Sequence, residues 1–505
     1  MRTKKALITS LIAFVSLFIK SVANFLVIRL FIQTFGNEMN GIVATAGQML
    51  EYLNVLDGGL GVAVVTMLLS PLSKGDYIKA NKIIIAANKF YKKIGILFYL
   101  FLFCLAYIYS YWGGQEFDAE VVFWLIILAG AVNFPNFFIL PGFNFLLMAD
   151  QREYMLYFFN MLSSLIGPAL MIFAMNQGSD VYVVRLIPVI MNFLVAICIR
   201  IYAANKYKWL NINGDTDVIL RNQAKDMILH RISGLIVFNT DMIVLSIATD
   251  FSQVSKYSIY LSIYFMVKNI IAPIIASGRI GLGQIMVEGN LLKAQKIFST
   301  FEYISFLIIF IFLTTLSIIT VPFIKIYSDG LNGLQYSDMK LNLLFVIVFL
   351  MDLLRNPHQS VINVAGHFKQ TKYRALTEAL LNVSFSIIFV NLYGIYGVLY
   401  GTIIAYSYRV IDIIIYSCRK ILNISIRKTS LRIVRNLTTA IIITLLGIYT
   451  FPIIDNIFVW ILYSGLYFIC ITIIFCTINI IFEKNPFIDF IYRFIPRKFN
   501  KTNNF

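Results

Sequence analysis

Fourteen long apolar segments run along this chain of 505 residues, and its positive charges collect in only every second connection between them. Of 42 Lys and Arg residues, 32 fall in the two ends, in alternate loops and in the segment margins adjoining those loops. The intervening loops hold two, Lys256 and Lys340, and eight lie deeper in the apolar segments. A stretch of about 20 apolar residues crosses the roughly 30 Å hydrocarbon core of a bilayer. Lys and Arg are retained on the cytoplasmic side during insertion, so the alternation predicts a topology. Both termini are expected in the cytoplasm, with fourteen crossings between them.

The segments lie at 6–33, 40–70, 90–110, 121–148, 154–176, 181–204, 228–249, 257–285, 300–327, 341–366, 373–391, 397–418, 436–452 and 457–482. With 59% apolar residues and 13% charged, the chain excludes a set of soluble domains. The net charge of +17 is accounted for by the positive-inside bias summed over the cytoplasmic segments, so nucleic acid is not an expected partner. Those basic loops can touch anionic headgroups, which makes membrane lipids expected partners. The outer loops are short, and none is long enough to fold as a domain. The five cysteines (104, 198, 418, 470, 476) form no CxxC, and the three histidines (230, 358, 367) lack metal-ligand spacing. The cysteines read as small packing residues. No metal and no cofactor are expected. Ile-, Asn- and Lys-rich usage points to an AT-rich bacterial genome, and the expected location is the bacterial cytoplasmic membrane.

The chain also repeats itself. Gly75-Asp-Tyr-Ile-Lys-Ala-Asn-Lys-Ile83 returns as Gly289-Asn-Leu-Leu-Lys-Ala-Gln-Lys-Ile297, with five of nine residues matched 214 positions apart. Pro141 with Ala149 returns as Pro357 with Ala365, 216 positions apart. Two matches at nearly one offset, in equivalent topological places, indicate duplication. The expected fold is an all-α polytopic membrane protein of about 14 transmembrane helices, two six-helix repeats plus two C-terminal helices. The expected division is 1–210 and 211–420 for the repeats, and 421–505 for the additional helices and a basic tail. Six crossings is an even number, so both halves share one orientation. Parallel repeats of this kind are a transporter plan, with the substrate site near the midplane.

Function is then sought in the embedded charges, because an ionised side chain at the centre of a span costs on the order of 3 kcal/mol. Lys20 lies in the middle of the first segment, with Asn24 one turn on along the same face. Lys268 lies in the middle of the eighth. Tyr257, Tyr260 and Tyr264 precede it on one helical face. An aromatic stripe ending in a cation suits a sugar joined to a phosphate, the rings stacking on sugar and the ammonium pairing with oxyanion. The bland alternative is an interfacial tyrosine belt with a structural lysine. Arg29, Arg185 and Lys325 near outer ends, and Arg279 near an inner end, can instead snorkel to headgroups.

Asp57 and Asp241 are deep acids. Each is a candidate proton or cation site for ion coupling, and each can equally neutralise a nearby lysine. Asp57 belongs to a polar and small-residue stripe that runs from Glu51 to Gly61. Asp352 with Arg355, and Arg409 with Asp412, are spaced i, i+3 and can pair within their helices. The second pair reads as structural. The first, beside Asn356-Pro357, is placed to join a cavity. Asp215-Thr-Asp217 matches a metal-dependent glycosyltransferase pattern without any α/β domain around it. Gly397-xxx-Gly401 is a helix-contact pattern. No Walker loop is present.

Phe35-Gly-Asn-Glu-Met-Asn-Gly41, then Asp57-Gly-Gly-Leu-Gly61, then the Lys-rich loop after Pro71, resemble the start of the polysaccharide-repeat-unit flippases. These belong to the multidrug/oligosaccharidyl-lipid/polysaccharide exporter superfamily. Where such flippases often carry a basic residue soon after the Gly-Leu-Gly stretch, this chain has Val64-Val65-Thr66. The resemblance implies paired six-helix bundles and transfer of undecaprenyl-diphosphate-linked oligosaccharide to the outer leaflet for surface polysaccharide synthesis. It implies a cationic lumen, onto which Lys20, Lys268, Arg29, Arg279 and Arg355 map by position. With Asn24, Tyr260 and Tyr264 these form the expected substrate-binding set. A polysaccharide polymerase and chain-length machinery are the implied protein partners. The chain is thus expected to be no enzyme. The alternatives are a multidrug exporter of the same superfamily, which should prefer an acid-dominated cavity, and a membrane polymerase, which needs a larger outer loop.

Overall fold

The computed structural model describes residues 2–53, 60–112, 118–211, 240–287, 290–331 and 334–483. They are all-helical apart from turns. The order is α1 (Arg2–Phe35), α2 (Asn37–Leu53), α3 (Leu60–Lys74), α4 (Tyr77–Trp112), α5 (Ala119–Ala131), α6 (Phe134–Phe138), α7 (Pro141–Ala149), α8 (Glu153–Asn176) and α9 (Val181–Lys206). Helical residues 240–248 form α10. There follow α11 (Phe251–Val287), α12 (Leu291–Tyr327), α13 (Met339–Leu354), α14 (Asn356–Val364), α15 (Phe368–Tyr393), α16 (Ile395–Tyr416) with a π turn at Ser417–Leu422, α17 (Arg427–Thr450) and α18 (Ile457–Phe482).

Among the described residues ten helices are long and apolar enough to cross a membrane, including α1, α4, α8, α9, α12, α17 and α18. This is a multi-pass membrane protein, and the expected all-α polytopic class is met. The other four apolar segments are not single described helices. Segment 121–148 divides into α5, α6 and α7, with Pro135 and Pro141 each in the first turn of a new helix. Proline has no N–H to donate and clashes with the preceding turn, so the helix restarts there. Segment 341–366 divides at Arg355, which ends α13 and begins α14 ahead of Pro357. Segment 40–70 is α2 and α3 with residues 54–59 outside the described chain, and only the end of segment 228–249 is described.

The breaks follow the repeat. Both α7 and α14 are nine residues long and carry proline in their first turn. Each is followed by a left-handed residue, Gln151 (φ 56°) and Gly366 (φ 69°), 215 positions apart. The next left-handed pair, Gly178 (φ 71°) and Gly394 (φ 56°), is 216 positions apart. Equivalent chain reversals at one offset extend the duplication from sequence into backbone conformation.

The chain forms two compact units. The first comprises Met1–Ser258, Leu331–Leu334 and Val390–Val398; the second comprises Ile259–Gly330, Gln335–Phe389 and Leu399–Phe505. In the first, α1 lies along α8, and α4 is packed by α3, α5, α6 and α7. Its core is apolar, with Leu68, Ile84, Phe98, Leu102, Ile126 and Leu146 buried. The broken helix is secured from α4: Asn88 Oδ1 accepts the Gly142 N–H at 2.8 Å, capping a donor in the first turn of α7. A side chain at Gly142 would collide with Ile84 and Asn88. In the second unit, α12 is the central helix, packed by α13, α17 and α18. The outward faces of α17 and α18 are apolar, including Leu445, Leu446 and Ile481, as lipid contact requires.

Candidate functional site

Seven charges of the second unit are gathered into one alternating chain. Lys268, at mid-helix on α11, places Nζ 2.7 Å from Oδ2 of Asp352 on α13. The other Asp352 oxygen, Oδ1, accepts from Arg355 Nη2 at 2.7 Å. Arg355 Nη1 reaches Glu378 Oε1 on α15 at 2.5 Å, and Glu378 Oε2 lies 3.2 Å from Arg409 Nε on α16. Arg409 in turn pairs with Asp412 at 3.1 Å, and Asp412 also accepts from Arg374. Four cations and three carboxylates thus alternate across four helices. Both i, i+3 pairs expected from spacing form, and each is extended by partners distant in sequence.

Burial makes these contacts strong. The side chains of Asp352, Glu378 and Arg409 are at most 7% exposed, so each charge needs a partner to be held there. Lys268 and Arg355 retain the most access among the members nearest the α13–α14 break, at 19% and 12%. Aromatic rings wall them. Lys268 Nζ is 5.5 Å from the Phe265 ring centre and 6.0 Å from that of Phe349; the Arg355 guanidinium is 4.7 Å from the Tyr406 ring. Cation–ring attraction adds to the ion pairs that hold these two side chains in place.

The remaining expected residues are distributed differently. Tyr260 and Tyr264 are fully buried. Tyr260 Oη donates to the Tyr336 carbonyl at 3.0 Å and accepts the Asp338 N–H at 2.9 Å. Tyr264 Oη donates to Asn342 Oδ1 at 2.8 Å, and both rings stack on Phe345. In this conformation the stripe braces α11 against the start of α13 and offers no open ring face. Tyr257 donates to Asp241 Oδ2 at 2.8 Å, so this deep acid is held by a phenol. Lys20 and Asn24 are exposed on α1, and Arg29 is half-buried further along it. Arg279 lies on α11, toward its C-terminal end. Asp57 and the Asp215-Thr-Asp217 motif lie outside the described residues. Lys325 meets Asp455 at 3.5 Å on an exposed surface, a contact worth about 0–1 kcal/mol. Only Cys418 of the cysteines is buried; Cys104, Cys198 and Cys470 are exposed.

A second buried cluster went unread in the sequence. Arg432, in the basic stretch between segments 397–418 and 436–452, is inside α17 and 1% exposed. It donates in bidentate fashion to Glu483 beyond α18 at 3.0 and 2.6 Å, and to Glu302 on α12 at 2.6 Å. Glu302 also accepts from Thr429 at 2.7 Å and lies 2.9 Å from Nε2 of His358 on α14. His358 Nδ1 is bonded to Ser417 at 2.7 Å. Burial alone would raise the Glu483 pKa, but the guanidiniums of Arg432 and Arg435 hold it below the usual carboxylate range. The cluster ties the C-terminal helix pair to α12 and α14. Its one sequence signal was Glu302, an acid near the start of a long apolar segment. Among the described residues no group of His, Cys, Asp or Glu is arranged to hold a metal.

This arrangement of broken and unbroken helices is similar in fold to solved structures of MOP superfamily transporters. An inward-facing multidrug resistance MATE family transporter of that superfamily superposes with a TM-score of 0.61 at 16% identity, over 83% of this chain and 99% of that one. The lipid II flippase MurJ, in an inward closed conformation, gives 0.61 at 15% identity, over 93% and 99%. A MOP superfamily transporter from Pyrococcus furiosus gives 0.55 at 15% identity, over 85% and 97%. By sequence the chain matches no protein-family model and none of the curated proteins.

Proposed function

We propose that this protein is a flippase that moves undecaprenyl-diphosphate-linked oligosaccharide units across the bacterial cytoplasmic membrane, from the inner to the outer leaflet, for surface polysaccharide synthesis. The observation that carries the reading is the Lys268–Asp352–Arg355 cluster, in which a mid-helix lysine of α11 and an arginine at the α13–α14 break, both half-buried, converge on one buried carboxylate. A diphosphate head is drawn to such cations, while the polyprenyl tail stays in lipid. The likeness in fold to a lipid II flippase supports a lipid-linked cargo. In this reading the repeats 1–210 and 211–420 rock about the substrate, with 421–505 attached to the second. Lys20, Arg29 and Arg279 extend the cationic path, Asn24, Tyr260 and Tyr264 belong with it as the polar and aromatic members of the substrate-binding set, and Asp57 and Asp241 are the candidates for ion coupling. An inside-negative potential favours outward transfer by about 2.3 kcal/mol per negative charge per 100 mV. The expected orientation has both termini in the cytoplasm. A polysaccharide polymerase and chain-length machinery are the partners that would receive the product.

The multidrug-exporter reading has support in the likeness to MATE transporters. The excess of cations over carboxylates in the buried chain disfavours a cationic drug. Cells lacking the protein separate the two. Complete lipid-linked units accumulating on the cytoplasmic leaflet, with loss of surface polysaccharide, support the flippase. Raised drug sensitivity with no such accumulation supports the exporter.

A further inference from the structure

Asp352 sits where a ligand oxyanion would sit. Its two carboxylate oxygens each hold a different cation, Lys268 from α11 and Arg355 from the α13–α14 junction, both at 2.7 Å. Two oxygens on one phosphorus are spaced much like two on a carboxylate carbon, so a phosphate group can bridge the same pair of cations. We propose that Lys268 and Arg355 form a diphosphate-class oxyanion site that Asp352 closes as a displaceable placeholder; the proposal rests on the flippase reading and deepens it.

Three observations support displacement over a fixed brace. The carboxylate is the more buried partner and the two cations the more accessible ones, so a ligand arrives at the cations first. Arg355 has a second carboxylate, Glu378, itself held by Arg409, which fixes the guanidinium while Asp352 is exchanged. Asp352 is also three residues before the break at Arg355, where α13 stops and α14 begins. A side chain in the last turn of a helix can be re-aimed by small changes at the break, whereas one in mid-helix cannot. The placeholder keeps the cations paired between cargoes, which avoids the penalty of two like charges buried side by side. It also sets a limit on affinity, which a carrier needs if cargo is to leave.

The test uses the full chain, purified and held in lipid nanodiscs, with inorganic pyrophosphate and farnesyl diphosphate as probes. Asp352→Asn removes the competitor and should tighten pyrophosphate binding at least tenfold. Glu378→Gln removes an equal charge at a similar distance from Arg355, on its other side, and should tighten it less than threefold. In wild type, a binding-induced infrared difference spectrum should contain a carboxylate band that disappears in Asp352→Asn. Tighter binding of farnesyl diphosphate than of pyrophosphate assigns the site to a lipid headgroup; equal binding assigns it to a soluble diphosphate, and either supports the site. Equal gains in the two variants would reduce the effect to general electrostatics and overturn the proposal, as would no gain in Asp352→Asn. Should Asp352→Asn not fold, Asp352→Glu misplaces the carboxylate and should tighten binding at least threefold, unchanged binding overturning the idea. If wild type binds neither probe, the site is refuted, while accumulation of lipid-linked units in cells judges the flippase reading separately.

Discussion

At the scale of single residues, the molecule concentrates its risk in a few buried charges. Arg432 meets Glu302 and Glu483 in an environment with almost no water. Removing one partner from such a set strands the others, at a cost of about 3–5 kcal/mol. Arg432→Leu is therefore expected to lower thermal stability in detergent by that order, and Arg432→Lys by clearly less, because a lysine keeps the charge but not the bidentate geometry. Glu483 adds a pH dependence with a definite sign. Its native pKa is depressed, so its contribution is complete above the unfolded value of about 4.3 and is lost as pH falls through the native value. The melting temperature should fall on acidification below that point, and Glu483→Gln should remove part of the slope. The sequence made some of this legible. Lys268 and Arg355 stood out as charges in apolar segments, and the i, i+3 rule paired Arg355 with Asp352. It could not show that Lys268 meets the same carboxylate, because 84 residues of chain separate them and only packing of α11 on α13 joins them. Tyr260 and Tyr264 had the right spacing for a binding stripe, but periodicity identifies a face and not what covers it; here Phe345 and the start of α13 do. Arg432 was not legible for the converse reason, since a cluster of basic residues reads as a solvated connection until acids from other elements are found beside it.

At the scale of elements, the informative feature is where helices break. Apolar periodicity runs straight through segments 121–148 and 341–366, and the structure divides both at prolines. The signal was present at Pro135, Pro141 and Pro357, but proline inside a membrane helix is also tolerated without a break, as at Pro168 and Pro188. At Pro141 the restarted helix is also secured from outside, with Asn88 taking up a first-turn donor, the Gly142 N–H. Close helix contact is the second element-scale feature. A β-carbon at Gly401 would lie 2.4 Å from the Ser386 backbone nitrogen, so α15 and α16 can approach only because that position is glycine. The small-residue spacing read there in the sequence marks a real contact. Gly401→Val should separate the two helices and cost about 1–3 kcal/mol, seen as a lower melting temperature and loss of a monodisperse peak. Gly465, whose added β-carbon meets nothing within 4 Å, should accept alanine without such loss.

At the scale of the whole molecule, charge alternation and an internal duplication were enough to anticipate an all-helical polytopic fold, and the likeness to MOP superfamily structures agrees with it. The duplication gained a backbone signature in paired left-handed residues that no residue-level comparison had indicated, because Gln151 and Gly366 share a conformation and not a side chain. The proposed function rests on a smaller observation, a lysine and an arginine converging on one buried carboxylate in a fold similar to that of the lipid II flippase MurJ. Lys268→Gln should abolish surface polysaccharide in cells while leaving the protein's abundance in the membrane unchanged, as measured by immunoblot against polysaccharide staining. The most direct measurement of the central claim is translocation by the purified protein. Vesicles containing it would be loaded with a fluorescent undecaprenyl-diphosphate-linked sugar, and exchange between leaflets followed by quenching from outside. The account predicts rapid, protein-dependent exchange that Lys268→Gln and Arg355→Gln each reduce at least tenfold. No exchange above protein-free vesicles under either sign of proton or sodium gradient, with the protein intact and folded, would contradict it.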